Sequence, residues 1–161
     1  AYGAMLFVAY QPEIVSRLTI SSQDEAVQLR VYYSGRALAS GGRSINWLGV
    51  GAGNFVGWLE EQQPRLARYL YQPVHNVYLL LYSEVGSIGL ALWLGFIGMA
   101  MVHARQAGRT VVGIGVLTVA GAVYAAGLLD HFPWTLQQGR FLLWGSLAVT
   151  VFCARRSDAL A

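Results

Sequence analysis

The stretch "QPVHNVYLLLYSEVGSIGLALWLGFIGMAMV", from Gln72 to Val102, contains the features that decide the fold. His75 and Asn76 stand directly before a long apolar run, and Glu84 is the one acidic or basic side chain within that run. A helix needs about 20 apolar residues to cross the hydrocarbon core of a bilayer. The run therefore predicts a transmembrane helix over residues 76–102, with polar groups at its entrance.

The composition of the whole chain agrees with a membrane protein. It is 55% hydrophobic and 12% charged, whereas soluble domains have about 25% charged residues. Two further apolar runs predict transmembrane helices over 110–129 and 134–153, and residues 1–9 look like the end of another. We therefore expect an all-α, polytopic transmembrane helix bundle. The chain begins in mid-segment without Met, so we also expect it to be the C-terminal piece of a longer protein. Its single cysteine excludes an internal disulfide framework.

The arginines predict how the helices are oriented. The connector 103–109 and the tail 154–161 are short and rich in arginine, which is typical of cytoplasmic segments. The turn 130–133 and the long segment 10–74 then lie on the extracytoplasmic side of the membrane. The fold class is thus a helix bundle with one large, partly helical extracytoplasmic loop.

Two patterns inside the long loop predict local structure. Ser21 or Ser22, followed by acidic residues, is a candidate helix start. The glycines of "GVGAGN" do not complete a dinucleotide-binding pattern, and no predicted strand precedes them. We expect these glycines to let the backbone turn sharply beside the membrane.

Small residues recur every four positions in two of the apolar runs. In lipid, such stripes allow close helix packing, and they are Ser83, Ser87, Ala91 and Gly95 in one run and Thr118, Ala122 and Ala126 in the next. Glu84 lies beside the first stripe and, in a straight helix, about a dozen ångströms in from His75. We expect its carboxylate to face protein or a wet cavity, in a functional role or in a structural hydrogen bond to a neighbouring helix.

Four stretches in order resemble a known family. They are "LRVYYSGRAL", "LGVGAGNF", "HNVYLLLYSEVGSIGL" and "DHFPWTLQQGRFLLWGSLA", and together they cover nearly the whole chain. They resemble the C-terminal half of the O-antigen ligase / O-antigen polymerase-like family of bacterial membrane glycosyltransferases. The resemblance implies a multi-pass protein of the bacterial inner membrane, with its active site facing the periplasm.

The resemblance also implies a reaction and its partners. A glycan is transferred from an undecaprenyl-diphosphate carrier to an acceptor without a metal, and we expect no cofactor and no nucleic-acid partner. The acceptor is lipid A–core in a ligase, a protein in the protein-glycosylating branch, or another lipid-linked repeat unit in a polymerase. A non-enzymatic alternative is a multispan transport or structural subunit whose polar residues line a path.

By position in the family motifs, His75 and Arg30 are the expected catalytic residues. A guanidinium can neutralise a departing diphosphate through paired hydrogen bonds. A histidine can take the proton of the attacking hydroxyl near neutral pH, or it can position the diphosphate instead. Attack opposite the leaving group inverts the anomeric centre.

Further polar residues are candidates for substrate binding: Arg36, Asn76, Glu84, Asp130 and Arg140. Asp130 and Arg140 gather with His131 at the last external turn. They could line the entrance for the glycan, or they could simply snorkel and cap helix ends. The aromatic residues near the predicted membrane surface could stack on sugars, although Trp and Tyr collect at that interface in any case.

Overall fold

The computed structural model describes residues 10–11, 24–42, 44–104 and 111–158. The chain divides into two compact units, residues 1–32 and 33–161. All regular elements in the described residues are helices, which confirms the predicted all-α class. The predicted helix end at 1–9, the serines near residue 21, most of the connector 103–109 and the end of the tail lie outside the described residues.

Six α-helices are described along the chain. We name them α1 (Glu25–Leu38), α2 (Phe55–Gln62), α3 (Val77–Ala104), α4 (Val111–Ala126), α5 (Phe132–Thr135) and α6 (Gln137–Asp158), and short 3₁₀ turns lie at Ala39–Gly41 and Arg68–Leu70. The predicted helix over 134–153 is divided in the structure, because the extended backbone of Leu136 separates α5 from α6. The long loop is partly helical, as expected.

Helix α1 crosses the boundary between the two units. At its start, Asp24 Oδ1 accepts the backbone N–H of Ala26 at 3.1 Å, which supplies one of the acceptors that the first turn of a helix lacks. Further along, Tyr33 and Ala37 are fully buried. The Tyr33 hydroxyl donates to the carbonyl oxygen of Leu70, which ties the end of α1 to the second 3₁₀ turn.

Helix α3 is broken at Gly86. This glycine has φ 73° and ψ −177°, a backbone region that is essentially restricted to glycine. The rings of Tyr78 and Trp93 lie 5.6 Å apart, whereas a straight helix would separate these residues by about 22 Å. The straight helix that the sequence pattern predicts is therefore wrong: α3 consists of two half-helices that meet at a sharp bend.

A segment of the preceding loop, residues 46–51, supplies the hydrogen bonds that the broken helix lacks; we call it the docking loop. The Asn46 side-chain amide donates to the carbonyl oxygens of Tyr82 and Ser83 at 3.1 and 3.2 Å. The backbone N–H groups of Val50 and Gly51 donate to Ser83 and Glu84. Across the break, Ser87 N–H donates to the Asn46 carbonyl at 2.7 Å and Ile88 N–H to Trp47. These bonds supply partners for backbone groups that the break leaves without an intrahelical one.

The glycines of the docking loop allow the two backbones to approach. Gly49 has φ 79°, and a Cβ atom there would lie 2.1 Å from the carbonyl oxygen of Glu84. Positive φ at Gly49, Gly51 and Gly53 confirms the sharp turn expected for "GVGAGN". The sequence did not indicate that this turn would rest on the bend of α3.

The core between α3, α4 and α6 is aromatic rather than built from small residues. Ala120, Tyr124 and Leu143 form its buried centre, and Trp93 and Trp134 pack against them. By contrast, Ala91, Thr118 and Ala122 are exposed, and nothing lies within 4 Å of a Cβ placed at Gly95. In the described part of the chain, the two predicted small-residue stripes therefore do not form the helix contacts expected of them.

One described helix is long and apolar enough to cross a membrane: Val77–Val102, within α3. Only 11% of its most apolar window is buried in the protein. Helix α4 contributes a shorter apolar stretch, Ile114–Ala126. Large apolar side chains on α3 and α6, including Leu92, Met99, Phe141 and Phe152, are also exposed.

Candidate functional site

His75 lies in the turn that leads into α3. The turn is held in place by its neighbours: Val74 is fully buried, and the Val77 N–H donates to the Gly127 carbonyl at 2.7 Å. The imidazole is half-buried, and its Nδ1 is a buried atom with no hydrogen-bond partner among the described residues. Because buried polar atoms are nearly always paired, an unpaired ring nitrogen is a specific feature that needs a reason.

A second histidine, His131, lies directly against the first. The ring centroids of His75 and His131 are 5.1 Å apart with an interplanar angle of 61°. Tyr33 faces His75 as well, with ring centroids 6.3 Å apart. Sequence analysis placed His131 only in the last external turn, because the "HN" and "DH" motifs are far apart in the chain and no pattern indicates that they meet.

Thr135 fixes the ring of His131. The Nδ1 atom of His131 lies 2.7 Å from Thr135 Oγ1, and the Thr135 hydroxyl donates to the His131 carbonyl oxygen at 3.2 Å. The two contacts join the Thr135 hydroxyl to both the ring and the backbone of His131. They hold the imidazole in one orientation.

The surroundings of His131 favour its neutral form. Burial lowers the pKa of His131 below its ordinary value; the nearby Asp130 carboxylate opposes this shift, and the charge of His75 adds to it. Asp130 is itself engaged in structure, because its Oδ1 accepts the Phe132 N–H at 2.9 Å at the start of α5. A lowered pKa leaves His131 uncharged at neutral pH.

A cavity of about 480 Å³ lies between these elements. It is lined by Gly53, Val56, Pro73, Leu80, Glu84, Trp134, Thr135, Arg140 and Trp144. Glu84 is 5% exposed, and no described residue donates a hydrogen bond to its carboxylate. Glu84 belongs to the half-helix that begins after His75 and ends at the bend at Gly86, and it lines the cavity, in agreement with the expectation that it faces protein or a wet cavity.

Arg140 lies at the exposed side of the same cavity. Its Nε donates to the carbonyl oxygen of Trp134 at 2.8 Å and its Nη2 to that of Thr135 at 3.1 Å. These bonds hold the guanidinium across the end of α5. They engage two of its five N–H groups, so the remaining donors are available to a bound group.

The other candidate residues are distributed as follows. Asn76 caps α3, because its Oδ1 accepts the Leu79 N–H at 3.0 Å and its Nδ2 donates to the Leu128 carbonyl at 2.9 Å. Arg36 is half-buried in the last turn of α1. Arg30 belongs to the first unit, where its side chain is exposed.

The second unit thus brings together two groups of candidates. His75 and Asp130 both influence the charge of His131, and Glu84 and Arg140 line one cavity. Thr135 belongs to both groups, because it bonds His131 and lines the cavity. Among the described residues, no three His, Cys, Asp or Glu side chains are grouped to hold a metal ion.

Comparisons of the chain with protein-family models, with characterised proteins and with solved structures give no match. The chemistry of the site must therefore be argued from its own groups. An imidazole can accept a proton, a buried carboxylate can accept hydrogen bonds from hydroxyl groups, and indole rings offer flat apolar walls. Together these groups suit a ligand with many hydroxyls and one acidic leaving group.

Proposed function

We propose that this chain is part of a membrane glycosyltransferase that moves a glycan from undecaprenyl-diphosphate to an acceptor at the periplasmic face of the bacterial inner membrane. The observation that carries the proposal is His75, whose buried Nδ1 has no hydrogen-bond partner among the described residues. Its ring contacts His131, and Thr135 links His131 to a cavity that is also lined by Glu84, Trp134 and Trp144. The resemblance of the ordered motifs to the O-antigen ligase / polymerase-like family supports the same function.

The exposed apolar surface supports a membrane location. Side chains such as Leu92 and Phe152 expose more than half of their surface. Contact of apolar surface with water costs about 25 cal/mol per Å² relative to an apolar environment. The second half of α3, after Gly86, has a length of about 27 Å if ideal, close to the hydrocarbon thickness of about 30 Å. We infer that α3, α4 and α6 belong to a multi-pass bundle in which these faces contact lipid or further helices.

In the proposed reaction, His75 takes the proton of the acceptor hydroxyl. The hydroxyl oxygen forms a bond to the anomeric carbon, and the bond from that carbon to the diphosphate breaks, so the diphosphate leaves with the electron pair. Arg30 neutralises the charge that grows on the diphosphate. Displacement from the opposite side inverts the anomeric centre, and the hydrogen-bonding groups that line the cavity, Glu84 and Arg140, bind the glycan.

Ligase and polymerase share this chemistry and differ in the acceptor. A ligase moves a finished glycan onto lipid A–core or, in the protein-glycosylating branch, onto a protein. A polymerase joins repeat units that remain on the lipid carrier. The wild-type product distinguishes them, because a ligase yields capped acceptor and a polymerase yields longer lipid-linked chains.

The test uses a strain from which the gene is deleted, with the protein restored at matched membrane levels. Consumption of lipid-linked glycan and product size are followed for wild type, His75→Ala and Arg30→Ala. Loss of a general base lowers the rate by about 10²-fold or more, so His75→Ala should lose transfer. Arg30→Ala should lose it because the charge on the departing diphosphate is no longer neutralised. The matched controls are His103→Ala and Arg65→Ala, which should transfer normally. Normal transfer by His75→Ala and Arg30→Ala would favour the transport or structural alternative.

A further inference from the structure

The contact between His75 and His131 has no role in the reaction described above. Each ring comes from a different part of the second unit: His75 from the turn before α3, and His131 from the turn between α4 and α5. The two ring centroids are 5.1 Å apart, so a charge on one ring disfavours a charge on the other.

We propose that His131 is a positioning residue for His75: Thr135 fixes the ring of His131 against the His75 ring, so that His75 is held in place to take the proton from the acceptor. This role rests on the proposed glycosyltransferase function and assigns the second histidine, which the family resemblance does not single out.

The hydrogen bonds distinguish the two rings. The Nδ1 atom of His131 is joined to Thr135 Oγ1 at 2.7 Å, whereas His75 Nδ1 has no partner among the described residues. The protein therefore orients the ring of His131, and His75 keeps a ring nitrogen that no described neighbour engages. A charged His131 would oppose the positive charge that His75 gains, and a neutral one does not.

The charged and titratable groups around the pair favour the same division. Asp130, on the same turn as His131, favours a charged ring, but burial and the charge of His75 outweigh it and lower the pKa of His131. Arg140, from α6, directs two donors to the carbonyls of Trp134 and Thr135 and adds positive charge at that end of α5. From α1, Tyr33 faces His75 with its ring, and its hydroxyl donates to Leu70.

Thr135 is the point at which the pair meets the cavity. Its hydroxyl is hydrogen-bonded to His131 Nδ1, and the residue also lines the cavity beside Trp134. A ligand that fills the cavity therefore lies next to the group that orients His131. This arrangement couples occupation of the cavity to the orientation of the histidine pair.

The first half of the test measures the coupling itself. Histidine ring signals of the ¹⁵N-labelled protein in lipid nanodiscs are followed by NMR across the pH range. In His75→Gln the pKa of His131 should rise relative to wild type, and in His103→Gln, the matched control, it should stay unchanged. An unchanged His131 pKa in His75→Gln overturns the proposal. This measurement does not depend on glycan transfer.

The second half measures the positioning role in the same protein. Thr135→Val keeps the shape of the side chain and removes the hydroxyl, so kcat should fall by about 10-fold or more because the ring is no longer held, while KM for the lipid-linked donor stays within about 2-fold. Thr135→Ser restores the hydroxyl and should return kcat to within about 3-fold of wild type. Thr135→Val with wild-type kcat, or Thr135→Ser as slow as Thr135→Val, overturns the role. A wild-type protein that transfers no glycan refutes the proposed function itself, whatever the NMR titration shows.

Discussion

Replacing Gly86 with alanine should disrupt the bend of α3. An added Cβ would lie 2.2 Å from the carbonyl oxygen of Trp47 and 2.5 Å from the backbone N of Leu48. Both are backbone atoms of the docking loop, so no flexible side chain can move aside to make room. The backbone conformation of Gly86 is in addition one that alanine rarely adopts.

The expected cost has two parts. A non-glycine residue in this backbone region costs roughly 1–3 kcal/mol. To relieve the clash, the docking loop must move away from the helix, which breaks the hydrogen bonds from Ser87 N–H to Asn46 and from Ile88 N–H to Trp47. Each buried group left without a partner costs roughly 1–3 kcal/mol. We expect a total destabilisation of about 4 kcal/mol or more.

Two other glycines separate these effects. Gly53 has φ 73° with nothing within 4 Å of an added Cβ, and Gly95 lies in the second half of α3 with open space and no positive φ. Gly53→Ala should therefore show only the backbone cost of roughly 1–2 kcal/mol. Gly95→Ala should be neutral or slightly stabilising, because alanine favours a helix over glycine by about 1 kcal/mol.

Thermal unfolding of the purified protein in detergent, followed by tryptophan fluorescence, measures the three variants side by side. At about 2–4 °C per kcal/mol, Gly86→Ala should lower Tm by roughly 10 °C, Gly53→Ala by a few degrees and Gly95→Ala not at all. If Gly86→Ala unfolds at the same temperature as Gly95→Ala, the docking loop does not constrain the bend, and our description of α3 is refuted.

Three further substitutions test the surroundings of the site. Asn76→Ala should lower the free energy of unfolding by about 2 kcal/mol, because it removes the cap of α3 and the hydrogen bond to Leu128. Asn76→Asp should keep the cap and lose only the bond to Leu128. Chemical denaturation compares the two variants, and equal losses of stability would contradict the two roles of Asn76. Tyr33→Phe should cost about 1 kcal/mol through its lost hydrogen bond to Leu70, measured in the same way, and a fully stable variant would argue against that bond. In the unfolded chain His131 binds a proton near pH 6.5, whereas the lowered pKa of the folded ring means that it does so only at a lower pH. Tm should therefore fall as the pH drops below about 6.5. His131→Gln should flatten the dependence of Tm on pH, and an unchanged slope would contradict the lowered pKa.

The sequence predicts the helices well because their apolar runs are long and continuous. It places α3 and α4 within a few residues of their observed positions. Runs of about 20 apolar residues are typical of helices that can cross a membrane, and these runs mark where each helix begins and ends. It does not predict the bend, because Gly86 is one of several glycines in the run and glycine is common in transmembrane helices. What distinguishes Gly86 is the docking loop, and that contact joins residues far apart in the chain.

The candidate site shows the same division. The sequence singles out Glu84 because placing a carboxylate in an apolar run costs free energy, so such a residue is usually functional or has a partner. The structure places it in the wall of a cavity. It does not indicate that His131 lies against His75, since no local pattern links two turns that precede different helices. Thr135 has no sequence signal at all; only its hydrogen bond to His131 identifies it.

The docking loop has a consequence for the order in which this region of the protein can form. A helix normally satisfies its own backbone groups from within. Around Gly86 this is impossible, because the missing partners belong to residues 46–51, which are synthesised before α3. Folding of this region is therefore a joint event, in which the loop closes onto the two half-helices. A polypeptide that starts after residue 51 would contain all of α3 and still be unable to complete it.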